Sequence, residues 1–467
     1  MVFSSHIFVF YYLPLLLLIY YALPGRFRNG FLTLGSYIFY GWWEPWFVTL
    51  MWVSTAVDYG AGRIISAESS GPRKRKTALI VALTTNLGLL GVFKYAMFAQ
   101  DNINGLLSML GLPMFQVYAI ALPIGISFYT FQTMSYTIDV YRKVAPPVRS
   151  FGDFACFVSL FPHLVAGPII RYNTVASQLV AREHTWTRFS SGVYLFVLGF
   201  AKKTLLANPM GLIADPVFAA DHPGAAAAWL GVLAYSFQLY FDFAGYSDMA
   251  VGLGRMFGLE IPRNFDAPYH AESITEFWRR WHISLSTFLR DYLYVALGGN
   301  RLGPVRTYVN LAAVMLLGGL WHGAHWQFII WGAYHGLFLC VERFFGRRTV
   351  YAGLPRVLRV LCTFLLVSLA WVPFRAANLG AAVRYWGAMC GAESAGPAAS
   401  LLSGVVFSRA SLLSLSICTL FIFARLQAWD FARTLSVPRS LLILGLFVIT
   451  AAAMFAQSFN PFLYFQF

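Results

Sequence analysis

Residues 73–98 have the sequence RKRKTALIVALTTNLGLLGVFKYAMF, in which four consecutive basic residues precede an apolar run. A transmembrane helix needs about 20 mostly apolar residues, and residues 78–98 supply that length. Loops rich in lysine and arginine stay on the cytoplasmic side of a membrane. The stretch therefore predicts an α-helix that leaves the cytoplasmic side at residues 73–76 and crosses the bilayer.

The composition of the whole chain agrees with that prediction. Of the 467 residues, 58% are hydrophobic and 11% are charged, whereas soluble domains carry roughly 25% charged residues. The net charge of +15 comes from basic residues in short loops between apolar runs, as the positive-inside rule expects. No basic stripe with a nucleic-acid-reading motif occurs, so we expect no nucleic-acid partner. The chain is predicted to be an all-α polytopic membrane protein.

Further apolar runs predict the remaining spans. They are residues 1–23 (a retained first span), two short segments around residues 42–46, and residues 117–138, 191–210, 226–243, 307–320, 326–341, 353–373, 411–425 and 441–458. Residues 151–170 contain Pro162, Gly167 and Pro168, which favours a re-entrant segment because broken backbone is tolerated where protein covers it. We expect about 12 crossings in a single domain over residues 1–467, with both termini outside.

Polar residues inside membrane sequence are costly and are functional candidates, and the first of them is His322. It lies in LWHGAHW, residues 320–326, between two apolar runs. An imidazole suits proton transfer near neutral pH, although a hydrogen-bonded packing histidine is the alternative. A metal pair of His322 and His325 lacks a cysteine or carboxylate nearby. The five cysteines form no CxxC pair, so we expect neither a metal nor a disulfide framework.

The second candidate is the segment of residues 273–301. Ser273 and Glu276 form a capping-box signature. Trp278, His282, Leu285, Leu289 and Tyr292 recur at helical spacing on one side, with Arg279, Ser286 and Arg290 toward another. This periodicity predicts one amphipathic helix that either lies in the interface or lines a cavity.

Two further features allow structural and functional interpretations. Asp242 and Asp248 at the end of an apolar run are expected to pair with Arg255, Arg263 or Arg279, and a structural ion pair is favoured over catalysis. The C-terminal residues 460–467, NPFLYFQF, are aromatic and carry no charged side chain. Composition alone favours an interfacial aromatic anchor for this tail.

Several long motifs, in order along nearly the whole chain, resemble those of the membrane-bound O-acyltransferase family. They are MVFSS at the N-terminus, SYIFYGWW (36–43), LPIGISFYTFQ (122–132), FPHLVAGPI (161–169), YFDFAGYSD (240–248), FWRRWHISLS (277–286), LGGNR (297–301) and GLWHGAHW (319–326). The N-terminal and central motifs point to the bacterial polysaccharide-acetylating branch. The motifs resemble those of alginate O-acetylation proteins, and cellulose and peptidoglycan acetylation proteins share much of the pattern.

The resemblance implies a fold of 11–12 transmembrane helices, with re-entrant or interfacial helices, around a central tunnel. It implies that His322 is the catalytic histidine and that His282, the second motif histidine nearer the cytoplasmic mouth, is also a catalytic residue. By the same resemblance, the substrate-binding residues are expected to be Trp278, Arg279, Asn300 and Trp321. No bound cofactor is expected. The donor would be acetyl-CoA or another acyl thioester.

The tail FLYFQF also resembles the C-terminal motif of a small partner protein in teichoic-acid D-alanylation, in which a tyrosine is proposed to carry the acyl group. Tyr464 would have that role here. The resemblance thus implies an O-acetyltransferase of the bacterial inner membrane that delivers acetyl groups for O-acetylation of an exported polysaccharide. A periplasmic acetyltransferase or esterase-like protein and other export subunits would be its partners. The alternatives are a lipid O-acyltransferase, a transporter, or a structural subunit of an export complex.

Overall fold

The computed structural model describes residues 1–346, 348–392, 396, 399–457 and 463, and every regular element in them is helical. These residues form two compact units: the first comprises Met1–Gly192 with Ala250–Pro262, and the second comprises Val193–Met249 with Arg263–Phe467. The predicted all-α class is confirmed. The prediction of a single domain over residues 1–467 stays a prediction.

The first unit consists of short and medium helices joined by turns and by longer loops, such as the segment between α5 and α6. They are α1 (Leu13–Ala22), α2 (Gly25–Gly41), α3 (Phe47–Ser66), α4 (Pro72–Leu90), α5 (Ala96–Met109), α6 (Ile126–Tyr141), α7 (Phe151–Ser159), α8 (Phe161–Leu164) and α9 (Tyr172–Val180). Prolines occupy the first turns of α4 and α8, where the missing N–H costs no helical hydrogen bond.

A buried polar cluster joins α3, α4 and α6 in this unit. Asn86 donates to Asp58 at 2.5 Å and accepts from Ser54 at 2.5 Å. Thr137 donates to the other oxygen of Asp58, and Thr133 also donates to Asn86. Because water is absent from the hydrocarbon region, the polar groups of such side chains must form hydrogen bonds with one another. The cluster therefore sets the register of the three helices.

The helix expected over residues 117–138 begins later than the sequence predicts. Residues 112–123 form no helix, and α6 starts at Ile126. Pro123 cannot donate a backbone hydrogen bond, and Gly125 has φ 77°, a conformation that ends a regular helix. The expected break in residues 151–170 is present, since α7 ends at Ser159 and α8 has four residues. At about 1.5 Å per residue, neither can cross a bilayer alone.

Each of the remaining helices lies wholly or mostly in the second unit. They are α10 (Trp186–Ala201), α11 (Asn208–Ala219), α12 (Ala225–Met256), α13 (Ile274–Arg280), α14 (Ile283–Phe288), α15 (Pro304–His322), α16 (Trp326–Phe344), α17 (Arg356–Arg375), α18 (Leu379–Met389), α19 (Ala399–Val406), α20 (Arg409–Phe423), α21 (Ala428–Ala432) and α22 (Val437–Ala456). Its core is rich in aromatic side chains, with Trp331 and Trp371 fully buried.

Four helical segments of the described residues are long and apolar enough to cross a membrane. They are Pro72–Met109, Trp186–Ala219, Arg356–Arg375 and Val437–Ala456, and two shorter apolar helices cover Phe8–Ala22 and Arg409–Phe423. The chain is therefore a polytopic membrane protein. The expected number of about 12 crossings stays a prediction.

Candidate active site

His322 is the last residue of α15, and the close crossing of α15 with α16 positions it. Gly319 on α15 faces the carbonyl oxygen of Phe328, and Gly332 on α16 faces that of Met315, so tightly that a Cβ at either glycine would overlap the oxygen. Only glycine allows two backbones to approach in this way. The helix pair is thereby locked at the end that carries His322.

The His322 side chain is 5% exposed and lies among aromatic rings. Its ring centroid is 5.0 Å from that of Trp321, 5.1 Å from that of Trp331 and 5.4 Å from that of Phe374, all in edge-to-face contacts. Such contacts fix the plane of an imidazole. His322 is therefore held in one orientation in an environment with little water.

The predicted single amphipathic helix of residues 273–301 is wrong, because the chain breaks at Trp281 and His282. α13 ends at Arg280, Trp281 is extended, and His282 is left-handed with φ 45° and ψ 54°. A left-handed conformation at a non-glycine residue costs of order 1–3 kcal/mol and persists only when the surroundings enforce it. The predicted cap is present, since Ser273 accepts the N–H of Glu276 at 3.0 Å.

Asn264, from a segment before α13, enforces the break. Its side-chain oxygen accepts from Ser284 N–H at 3.0 Å, from the Ser284 hydroxyl at 2.9 Å and from His282 Nδ1 at 3.2 Å. Its main-chain oxygen accepts from Ile283 N–H at 2.9 Å. Because an amide oxygen only accepts, Nδ1 of His282 carries the proton and Nε2 is the acceptor nitrogen.

The break brings the two motif histidines together. The ring of His282 is fully buried, and its centroid lies 6.3 Å from that of His322. Trp321 contacts both rings, at 6.1 Å from His282 and 5.0 Å from His322. A continuous helix could not turn His282 in this way.

A cavity of about 390 Å³ in the second unit reaches His322. Trp278, Arg279 and Asn300, three of the four predicted substrate-binding residues, line it, together with Arg290 and Arg343. The lining does not include Trp321 or His282, which pack beside His322 instead. Arg279, Arg290 and Asn300 are exposed and His322 is buried, so the cavity leads from a cationic entrance to the imidazole.

The profile of the membrane-bound O-acyltransferase family matches residues 142–372. A probable alginate O-acetylase of Pseudomonas putida is 45% identical over the full length of both chains. The chain belongs to the membrane-bound O-acyltransferase family. A peptidoglycan O-acetyltransferase of Helicobacter pylori is 37% identical over 84% of this chain and 80% of its own. A teichoic acid D-alanyltransferase of Streptococcus thermophilus is 32% identical over 47% of this chain and 56% of its own.

Membership of the family makes the protein an O-acyltransferase, as the sequence motifs predicted. The profile covers both His282 and His322 together with all the residues that line the cavity. The roles of the individual residues remain predictions.

Sequence reasoning assigned no role to His335, a further buried histidine of the second unit. His335 on α16 is fully buried, and within the described residues neither ring nitrogen has a hydrogen-bond partner. Its ring centroid lies 5.0 Å from that of Trp331 and 5.2 Å from that of Trp278. The four-residue spacing of Trp331 and His335 places both on one face of α16, and that spacing was the available signal.

Glu342 was also missed, although it orients the helix that carries Trp278 and Arg279. Its buried carboxylate accepts the N–H groups of Ile274 at 2.7 Å and Thr275 at 2.9 Å. These are free donors in the first turn of α13, and a carboxylate there also complements the helix dipole. No local pattern reveals this cap, because Glu342 lies 68 residues after Ile274 and 67 after Thr275.

The predicted ion pairs of Asp242 and Asp248 form, but with other partners. Lys203 pairs with Asp242 and Lys202 with Asp248, each at 2.7 Å. The arginines proposed from sequence pair elsewhere or lie in the cavity, because the π-helical segment Lys202–Ala207 directs both lysines toward α12. Asp242 also accepts the backbone N–H of Leu463 at 3.0 Å.

The predicted acyl carrier, Tyr464, lies outside the described residues, as does most of the tail of residues 460–467. Leu463 is described and is 1% exposed, packed into the aromatic core of the second unit. His325, the partner in the alternative metal pair, is exposed at the start of α16 while His322 is buried. No group of three metal-ligating side chains occurs in the part of the chain that the structure describes.

Proposed function

We propose that the protein takes an acetyl group from a cytoplasmic acyl thioester, acetyl-CoA, and delivers it across the bacterial inner membrane for O-acetylation of an exported polysaccharide. The similarity to a probable alginate O-acetylase and to a peptidoglycan O-acetyltransferase supports the choice of acetyl and of a polysaccharide. The observation that carries the proposal is the cavity that joins buried His322 to a cationic entrance.

The entrance fits the phosphates of a CoA thioester. Within the described residues, neither Arg279 nor Arg343 forms an ion pair with a carboxylate, whereas Arg290 pairs with Asp291 at 2.6 Å. Arginine binds phosphate through paired charge-assisted hydrogen bonds. Beyond the arginines, the lining becomes apolar with Leu285, Leu289, Leu311, Val314 and Met315. That part suits the uncharged pantetheine arm and excludes water from the thioester.

In the proposed reaction, His322 acts as a general base. It takes the proton of an acceptor hydroxyl while the oxygen attacks the thioester carbonyl carbon. The tetrahedral intermediate then collapses, the carbon–sulfur bond breaks, and the thiolate takes the proton back from the imidazolium. The products are the acetyl ester and the free thiol of CoA. General base catalysis of this kind typically contributes about 10²–10⁴-fold.

We assign His282 and Trp321 a positioning role in this reaction. His282 is held by Asn264, and Trp321 lies between its ring and that of His322. Together they hold the imidazole of His322 against rotation. Trp278, Arg279 and Asn300 would contact the donor, since they line the cavity.

The first acceptor in this scheme is the hydroxyl of Tyr464. In support, the backbone N–H of Leu463, its neighbour in the chain, donates to the buried carboxylate of Asp242 in the second unit. A phenol has a pKa near 10 and is therefore a good leaving group, so an acetyl-tyrosine keeps transfer potential for a second step. A periplasmic acetyltransferase or esterase-like partner would then pass the acetyl group to the polymer.

The test uses the full-length protein purified in a neutral detergent and acetyl-CoA with a labelled acetyl group. Release of CoA is measured, and label on the protein is located by peptide mass spectrometry. We expect His322→Ala to lose CoA release by about 10²-fold or more, while His325→Ala, which changes an exposed histidine of the same loop, stays near wild type.

The outcomes separate the parts of the proposal. Release of CoA at the wild-type rate by folded His322→Ala refutes the catalytic scheme. Label on Tyr464 that disappears in His322→Ala supports the relay, and a fully active Tyr464→Phe refutes the relay alone. No release of CoA by the wild-type protein refutes acetyl-CoA as the donor.

A further inference from the structure

A second cavity, of about 620 Å³, lies within the first unit and shares no lining residue with the cavity at His322. It is formed by the first turns of α2 and α7 and by the end of α9 with the loop after it. Four arginines line it: Arg26, Arg28, Arg149 and Arg182. This arginine pocket has no part in the proposed acetyl transfer.

The positive charge of the arginine pocket is not neutralised by protein carboxylates. In the part of the chain that the structure describes, none of the four arginines forms an ion pair. The pocket contains one carboxylate, Asp153, which accepts from Asn29 at 2.7 Å and from the Ser150 hydroxyl at 2.8 Å. The lining therefore keeps a positive excess that an anion could complete.

Arg182 is the most tightly held of the four arginines. It donates to the Tyr20 hydroxyl at 2.9 Å and to the Asn29 side-chain oxygen at 2.6 Å, and it contacts the thiol of Cys156 at 3.6 Å. Its Nε atom is buried and has no hydrogen-bond partner in the described residues. All of these partners are neutral, and a half-buried guanidinium without an opposite charge beside it favours an anionic ligand. The protein thus holds a cation in place for a counter-ion that it does not itself supply.

Two further observations indicate a positive potential in the pocket. Gly25, the first residue of the 17-residue helix α2, belongs to the lining, so the positive end of that helix dipole faces the pocket. Burial, and then the charges of Arg28 and Arg182, lower the pKa of His184, which also lines the pocket. An anion is therefore favoured there over any neutral or cationic ligand.

We propose that the arginine pocket binds a phosphate group. Arginine pairs with phosphate in a bidentate geometry that lysine cannot provide. Arg26 and Arg149 are exposed and can close on a ligand above the fixed guanidinium of Arg182. The distribution of basic loops places Arg26, Arg28 and Arg149 on the cytoplasmic side, where both anionic phospholipid headgroups and soluble phosphate are present. These are the two sources of the same ligand chemistry.

The test uses the full-length protein, freed of co-purified lipid in a neutral detergent. Its binding to phosphatidylglycerol, to phosphatidylcholine and to inorganic phosphate is measured by native mass spectrometry and by thermal shift. The variant is Arg26→Gln/Arg149→Gln, which removes two exposed charges without disturbing the network of Arg182. Arg73→Gln is the matched control, because Arg73 is an exposed arginine of the same unit outside the pocket.

We expect the double variant to bind phosphatidylglycerol or inorganic phosphate, whichever the wild-type protein binds, at least about tenfold more weakly. The reason is that each lost charge-assisted hydrogen bond contributes substantially to affinity. Arg73→Gln should bind as wild type does. Selective binding of phosphatidylglycerol that inorganic phosphate does not displace identifies the headgroup as the source, and tight binding of inorganic phosphate alone identifies a soluble phosphate. The proposal is overturned if neither phosphatidylglycerol nor inorganic phosphate binds, or if Arg73→Gln weakens binding as much as the double variant does.

Discussion

The substitution Asn264→Leu should disable the enzyme through the turn at His282, without touching the cavity. Leucine has the branched outline of asparagine but carries no hydrogen-bond acceptor. The change removes the oxygen that receives the N–H of Ser284, the hydroxyl of Ser284 and Nδ1 of His282. Both Ser284 and His282 are buried, so water cannot replace that oxygen.

The magnitude follows from which donors can find another partner. The backbone N–H of Ser284 cannot rotate, and a buried unsatisfied donor costs about 1–3 kcal/mol. The hydroxyl and the imidazole can reorient, so each contributes a smaller part, of about 1 kcal/mol or less. The left-handed backbone of His282, itself worth about 1–3 kcal/mol of strain, then loses what compensates it. We expect the turn to relax and His282 to leave its place beside His322.

The assay combines release of CoA with thermal unfolding of the purified protein in detergent. We expect Asn264→Leu to lower the melting temperature and to lower kcat more than it raises KM for acetyl-CoA, because Asn264 is not in the lining of the cavity. Asn264→Asp is the control for kcat, since a carboxylate oxygen still accepts all three donors, although its buried charge should itself lower the melting temperature. Wild-type kcat and an unchanged melting temperature for Asn264→Leu would refute the reasoning.

Three further predictions test the scaffold around the site. Glu342→Gln should destabilise the fold by about 1–3 kcal/mol and raise KM for the donor, because an amide nitrogen cannot accept one of the two N–H groups at the start of α13; an unchanged KM would contradict the positioning role. Gly332→Ala should lower the melting temperature and activity, since its Cβ would overlap a main-chain oxygen of α15, whereas Gly445→Ala has open space and should be neutral; equal melting temperatures would count against the close crossing. Lys203→Met should destabilise by about 3–5 kcal/mol because it leaves Asp242 buried without its cation, and Lys203→Met/Asp242→Leu should recover part of that loss; a double variant no better than the single one would exclude a simple ion pair.

The sequence predicts most helices because hydropathy and charge act locally. The runs expected at residues 307–320 and 326–341 correspond to α15 and α16, and those at 353–373 and 441–458 to α17 and α22. These predictions are correct because the apolar side chains of such a helix avoid water whatever the helix packs against. The failure at residues 117–138 has a local cause too: Pro123 and Gly125 prevent an early start of α6.

The sequence also makes His322 a functional candidate, since a histidine between apolar runs is costly in a membrane, and the family motifs predict its catalytic role. They do not predict its orientation. That orientation depends on the contact of Gly319 with the carbonyl oxygen of Phe328 and on the ring of Phe374, which lies 52 residues after the histidine.

By itself, then, the sequence determined that this chain is an all-helical polytopic membrane protein with a catalytic candidate at His322. Only the tertiary structure decided that the helix of residues 273–301 breaks at His282 and that Lys203 is the partner of Asp242. Helical periodicity is a property of neighbours in the chain, whereas both outcomes are enforced by groups from distant segments. The side-chain oxygen of Asn264 accepts hydrogen bonds from the N–H and hydroxyl of Ser284 and from Nδ1 of His282. These hydrogen bonds offset the strain of the left-handed turn.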